Sequence, residues 1–344
     1  MKAFAHPDQA LHQPHWFVMR GRLHPNFEIA KRAEALLGGL AALGITPETP
    51  AEAPRGAIES VHPAPYLDFL RDGPAEWAKL ADPGPELVPN IHATPEMLAQ
   101  GGHAGPHIIQ RLGDHTADSS CPIGPGTWQA SITAAACALA AAAEAAQGRS
   151  AYALCRPPGH HAYATRAGGH CYLNNAAIAV EALKRAGAQR VATLDIDSHH
   201  GNGTQGIFWD RGDVLTVSVH GDPDGYYPWY VGRAQERGTG DGEGHNLNLP
   251  LAHGSDDAAW LGAIDTGLAA MRAFRPDALV VSLGFDASEH EPLNYLRVTE
   301  DAFARAAAAI SGLGRPSAII QEGGYNLDLI GTLLQRFLNA WSGK

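Results

Sequence analysis

The sequence predicts an α/β protein, a single domain built around a parallel sheet flanked by helices. Five short apolar runs, Ala151 to Cys155, Arg190 to Ile196, Val214 to Val219, Ala278 to Leu283 and Ser317 to Ile320, have the length and near-continuous hydrophobicity of strands buried on both faces. Helical stretches separate most of them, the alternation that generates parallel sheets. Each run ends in clustered polar residues, and in open parallel sheets ligands bind outside the carboxyl ends of the strands.

In chain order, a helical pattern from Phe27 to Leu43 leads through a Pro-rich connection to a second helical stretch around Pro65 to Leu70. The segment from Asp82 to Gly126 is dense in Pro, Gly and His without sustained periodicity. That is long for a loop inside a compact domain, and such loops serve function or assembly. Ala130 to Ala146 reads as a strong Ala-rich helix. Its apolar part, Ala134 to Ala146, is shorter than the roughly 20 residues that cross a bilayer, so no membrane association is expected. No internal repeat or further low-complexity segment marks a second domain, and one unit over residues 1 to 344 is expected.

The composition is that of a chain that folds on its own: 45% of the 344 residues are hydrophobic and 18% charged. With 25 basic against 36 acidic residues the net charge is -11, which argues against a nucleic-acid partner and favours a cationic substrate. Cys121, Cys137, Cys155 and Cys171 are widely spaced, with no CxxC pair and no secretory segment at Met1. They read as reduced thiols in a cytoplasmic protein.

The five strand ends carry Arg-Pro-Pro-Gly-His160-His161, Asp195-Ile-Asp197-Ser-His199-His200-Gly, Ser218-Val-His220, Gly-Phe-Asp286 and Glu-Gly-Gly-Tyr325, all expected to converge on one pocket. Strand alternation would send Asp195, Asp197 and His199 to one side. Asp197 and His199, joined by the distant Asp286, make three oxygen and nitrogen ligands and leave a position for water, as catalytic zinc requires. An isolated Asp-x-Asp-x-His run is as readily a solvated turn; the preceding strand, the His pair and the Gly-rich flanks favour a metal site. His160 and His161 follow the stiff Pro157-Pro158-Gly159 turn, which suits fixed imidazoles acting as bases. Tyr325 follows Gly323-Gly324 and could polarise a carbonyl.

Taken together, Pro-Gly-His160-His161, Gly169-His-Cys-Tyr-Leu-Asn-Asn175, Asp195-Ile-Asp-Ser-His-His-Gly-Asn-Gly203, Gly284-Phe-Asp286 and Glu-Gly-Gly-Tyr325 resemble the histone deacetylase superfamily. The length, the Gly126-Thr-Trp128 motif and the long preceding loop resemble its bacterial acetylpolyamine amidohydrolase branch. The resemblance covers about residues 15 to 340 and implies an eight-stranded parallel sheet of the arginase/deacetylase fold. It implies zinc on Asp197, His199 and Asp286, although such ligands also accept Fe2+. The His pair becomes His160, backed by Asp195, and His161, backed by Asn202. Tyr325 becomes the transition-state phenol. A structural potassium would take the backbone oxygens of Asp195, Asp197, His199 and Val219 with the Ser218 hydroxyl.

The implied reaction is hydrolysis of an acetylated small amine. A metal-activated water would lose its proton to His161, since the Asp behind His160 favours protonation of that ring more than Asn202 favours it in His161. Around the substrate, His170, preceded by Gly169, occupies the place of a usual tunnel aromatic, opposite Tyr227. Leu293 stands where a polyamine-specific member carries a gatekeeping Glu. In the polyamine branch, acidic residues of the long loop from a neighbouring subunit help bind the amine, for which Asp118 or Asp114 could serve, and a homodimer or higher homo-oligomer through residues 82 to 126 is implied. The alternatives are a lysine deacetylase acting on peptides, a two-metal ureohydrolase and an inactive metal-binding scaffold. The Asp195 run ends in His-His-Gly, where a ureohydrolase needs further carboxylates, and both histidines and Tyr325 are present, which an inactive scaffold would not need.

Overall fold

The computed structural model describes residues 1–343. Nine strands form: β1 (Lys2–Phe4), β2 (Trp16–Met19), β3 (Arg22–Pro25), β4 (Ala151–Ala153), β5 (Val191–Asp195), β6 (Val214–Gly221), β7 (Asn246–Leu251), β8 (Ala278–Leu283) and β9 (Ser317–Gln321). Seven of them make one sheet in the order β1-β4-β9-β8-β5-β6-β7, with every neighbouring pair parallel. Among the described residues that sheet lacks the expected eighth strand, and β2 and β3 pair antiparallel with each other as a separate hairpin.

All five runs read as strands are strands. The two missed within the seven-stranded sheet, β1 and β7, lack the signal for plain reasons. The first has three residues, and the second, Asn-Leu-Asn-Leu-Pro-Leu, is an edge strand that alternates polar and apolar.

Side chains leave the sheet alternately. In β8, Ala278 and Val280 join one core cluster while Leu279, Val281 and Leu283 join the other; in β9, Ala318 and Ile320 oppose Ile319. The first cluster lies under helices Ala64–Trp77, Thr127–Ala146 and Asn175–Arg185, the second under Lys31–Ala42, Asp257–Phe274, Glu300–Ser311 and Ile330–Trp341. Burial on both faces explains why these strands read as continuous apolar runs.

Helix Thr127–Ala146 is longer than the sequence suggested and, at 20 residues, passes a length-and-composition test for a membrane span. However, 67% of its apolar window is buried in the fold, where small alanines let it approach the sheet and helix Asn175–Arg185. The stretch read as an unstructured loop contains two short helices, Pro95–Ala99 and Ile108–His115. The helix at Pro65 to Leu70 extends to Ala64–Trp77, and the first one narrows to Lys31–Ala42. All four cysteines are buried and free.

Candidate active site

The site lies at the carboxyl ends of β4, β5, β8 and β9. Beyond Asp195 the chain leaves β5 in a bend stapled by its own carboxylates: Asp197 N–H donates to Asp195 Oδ1 (3.1 Å) and His199 N–H to Asp197 Oδ1 (2.9 Å). Alternation carries on through Ile196, which joins Leu194 in the second core cluster, so Asp195 and Asp197 both face the His160 ring, at 2.8 and 3.8 Å. Asp195 turns to His160, while Asp197 and His199 meet Asp286 from the end of β8.

His199 Nδ1 lies 3.1 Å from Asp197 Oδ1 and 3.0 Å from Asp286 Oδ2. The other two carboxylate oxygens are occupied by backbone donors, Gly323 N–H to Asp197 Oδ2 (2.8 Å) and Ser198 N–H to Asp286 Oδ1 (2.7 Å). One oxygen of each carboxylate and one ring nitrogen thus converge, all buried. Burial alone would lower the His199 pKa, yet the two carboxylates raise it to about 9. A cation is what this donor set attracts, and its nitrogen and oxygen composition fits a divalent ion with an open position. Gly323 permits the approach: a Cβ there would lie 2.6 Å from Asp197 Oδ2 and collide with Asp286 as well.

The His pair sits beside this trio on the turn after β4. His160 Nδ1 is 2.8 Å from Asp195 Oδ2, and His161 Nδ1 is 2.6 Å from Asn202 Oδ1. The rings lie 4.0 Å apart, yet their environments diverge. Burial would lower the His160 pKa, but Asp195, helped by Asp197, raises it well above the ordinary value. Burial, reinforced by His160 and His199, holds His161 well below it. One ring is thus held charged and the other neutral, with His161 Nε2 left as an acceptor once Nδ1–H is given to Asn202. The turn is fixed from below by Glu322, whose Oε2 accepts from Gly159 N–H (2.6 Å) and His160 N–H (3.1 Å). Asn174, capping helix Asn175–Arg185 through Ala177 N–H, donates to the Ala162 carbonyl just beyond it.

Of the five converging ends, that of β6 is the exception. Ser218 stands level with Asp195 in the register, but its hydroxyl lies 2.8 Å from His220 Nδ1, and His220 packs on His200, behind the trio. The segment after β6 does reach the site: Tyr226 stacks on His199 at 4.4 Å, and Tyr227 meets His161 edge-on at 4.8 Å.

A cavity of about 440 Å³ opens above His161 and His199, lined among others by Gly169, His170, Tyr227, Leu293 and Tyr325. Gly169 (φ +50°) is forced: a Cβ there would lie 2.5 Å from the His161 ring and 2.8 Å from the Tyr227 hydroxyl. Asp118 does not line the cavity. Its carboxylate accepts from the Tyr227 hydroxyl (2.6 Å) and Gly169 N–H (3.2 Å), buttressing the wall within its own chain, while Asp114 is exposed near Arg166.

Sequence reasoning missed the hairpin. Phe17, Val18, Met19 and Arg20 form one side of the mouth, and the Met-Arg-Gly-Arg tip between two short apolar strands was the available signal. It also missed Glu28, Arg32 and Arg156, a buried charge group in which Arg32 and Arg156 each lie 2.9 Å from Glu28. Arg32 donates to the Glu322 and Gly324 carbonyls and sits 4.8 Å over the Tyr325 ring. A second trio of ligand-type side chains, His160, Cys171 and Glu322, lies nearby, but His160 is committed to Asp195 and burial keeps the Cys171 thiol protonated.

A doubly covered parallel sheet with a buried carboxylate–histidine trio, a paired-histidine turn and a phenol at its carboxyl edge is the arrangement a metal-dependent hydrolase centre requires. The histone deacetylase domain model matches residues 24–341, and the chain belongs to that family, with the bacterial acetylpolyamine amidohydrolases. It is therefore a deacetylase-type amidohydrolase, and the family implies a divalent metal. An acetylpolyamine amidohydrolase of Burkholderia pseudomallei is 45% identical over 95% of each chain. Acetylpolyamine amidohydrolase 1 of Pseudomonas aeruginosa is 41% identical, covering 98% of this chain and 97% of that one. The crystal structure of an acetylpolyamine aminohydrolase from B. pseudomallei superposes with a TM-score of 0.95 at 43% identity, covering 99% of this chain and 98% of that one.

Proposed function

We propose that this chain removes the acetyl group from small linear amines such as acetylpolyamines, with a zinc ion held by Asp197, His199 and Asp286. The observation that carries the reading is the geometry of the His pair beside that trio, with His160 Nδ1 2.8 Å from Asp195 Oδ2 and His161 Nδ1 2.6 Å from Asn202 Oδ1. When bound, the ion acidifies water and polarises the amide carbonyl. His161, neutral and with Nε2 free, accepts the proton of the attacking water. His160, held cationic by Asp195, stabilises the negative charge that develops. The Tyr325 phenol, kept protonated by burial, donates to the oxyanion. Protonated His161 then delivers its proton to the departing amine, leaving acetate and a free amine.

Fe2+ suits the same donors, and a structural potassium on the Asp195, Asp197, His199 and Val219 carbonyls with Ser218 completes the expected ion set. Among the described residues, the cavity lining includes Arg20 and no carboxylate. Recognition of a second ammonium group thus calls for an acidic side chain from outside the lining, and a neighbouring subunit's 82–126 segment in a homodimer is the proposed source. Four buried thiols and an acidic chain fit residence in the cytoplasm.

The test is turnover of acetylputrescine, acetylspermidine and an acetyl-lysine peptide, with metal content measured on the same preparation. One zinc per chain and a preference for the acetylpolyamines are expected. Peptide preferred over both amines would make the protein a lysine deacetylase, and two manganese ions per chain would overturn the mononuclear centre.

A further inference from the structure

Tyr325 sits on a segment without regular secondary structure, between β9 and helix Ile330–Trp341, directly after Gly324 at φ +113°. A phenol that must meet a developing oxyanion cannot be left to such a backbone, because a displacement of about 1 Å costs on the order of 100-fold in rate. Arg32 holds one side of the segment through the carbonyls of Glu322 and Gly324, both at 2.6 Å. Glu291 holds the other. Both of its carboxylate oxygens accept from Tyr325 N–H at 3.0 Å, and Oε1 also accepts from Asn326 N–H at 3.1 Å. The Asn326 side chain returns a bond to the His290 carbonyl (2.8 Å), so the two segments are joined at consecutive residues.

Glu291 is 3% exposed and has no arginine, lysine or histidine within ion-pair distance among the described residues. Burying a carboxylate that way is costly, and burial together with Asp286 pushes it up to about 7. The backbone N–H groups are its compensation. It does not line the cavity and takes no part in the proposed proton transfers.

We infer that Glu291 is a positioning residue for amide hydrolysis, setting the place of the Tyr325 phenol by gripping the backbone N–H groups of Tyr325 and Asn326. The inference rests on the proposed role of Tyr325 as oxyanion donor. Because that phenol acts on the transition state, loosening it lowers kcat and leaves KM nearly unchanged.

The experiment is a double-mutant cycle on the metal-loaded enzyme with acetylputrescine, using Glu291→Gln, Tyr325→Phe and both. Glu291→Gln keeps the shape of the side chain but replaces one of its two acceptor oxygens with an NH2 donor set against an N–H donor. It should lower kcat by about 10-fold with KM changed less than about twofold, and hydrogen exchange at the Tyr325 and Asn326 amides should accelerate. In the Tyr325→Phe background the same change should cost less than about twofold, since nothing remains to be positioned. Full additivity, a loss confined to KM, or unchanged kcat would overturn the inference. Glu291→Asp, which retains both acceptor oxygens, should recover part of kcat and replaces Gln in the cycle if the Gln variant does not fold. Wild-type rates from Tyr325→Phe would instead defeat the phenol's role itself.

Discussion

At the floor of the cavity, Asp197, Asp286, His160 and His161 are at most 4% exposed, and their side chains and the carboxylates beside them are tied by hydrogen bonds. At its rim, Trp229 is 49% and Val18 45% exposed, and Arg20, Trp229 and Asn294 adopt positive φ on turns. The floor is assembled from the ends of four neighbouring parallel strands, so each ligand inherits its place from the sheet. The rim comes from a hairpin, the segment after β6 and the segment after β8, which the sheet does not bind into register. In the proposed function, chemistry sits on the part tied to the sheet and choice of substrate on the rim, where changes can accumulate without disturbing the centre.

Breaking the floor should have the largest effect. Chelation of the metal, or Asp286→Ala, should abolish measurable turnover, restored in the first case alone by added zinc; activity surviving complete metal removal would show that the trio serves another purpose. His161→Ala should reduce kcat by about 10²–10⁴-fold, the usual worth of a positioned general base. Asn202→Asp, which places a carboxylate behind His161 as Asp195 stands behind His160, should move the acidic limb of the kcat/KM profile upward, because it favours the charged ring. An unmoved limb would remove His161 as the base.

At the rim the expected effects are smaller and selective. Leu293→Glu should improve kcat/KM for acetylspermidine over a neutral acetamide of similar length by about 10-fold, leaving kcat for the neutral compound unchanged. Equal effects on both substrates would mean that Leu293 faces no ammonium group.

The smallest effect concerns stability. Burial pushes His12 down to about 3 and His62, His170 and His220 to about 4. These rings stay neutral in the fold but gain protons in the unfolded chain below about 6.5, so stability is full above that pH and drains as pH falls toward 4. Glu291 and Glu322, raised to about 7 by burial, work in the opposite sense between about 7 and 4.5. With His115, His161 and His200 also lowered by burial and Asp195 and Asp286 also raised, seven histidines against four carboxyls should lower the melting temperature between pH 6.5 and 5, each unbalanced group contributing up to about 1.4 kcal/mol per pH unit. A melting temperature that rises over that interval would show the carboxyls to dominate.

While the partners of the His pair came from the family resemblance, the amino-acid sequence by itself determined the five central strands, the Ala-rich helix and the metal-ligand candidates Asp197, His199 and Asp286. These are legible because a strand buried on both faces must be apolar throughout, so the polar residues just past its end stand out against it. Tertiary structure alone decided the rest. The bend after β5 is set by two side-chain-to-backbone bonds, Asp197 N–H to Asp195 and His199 N–H to Asp197, and no periodicity records such a bend. Whether Asp118 faces substrate or braces Tyr227 depended on a contact 109 residues away. Glu291, five residues past a strand-end aspartate, grips the Tyr325 backbone only because β8 and β9 lie side by side.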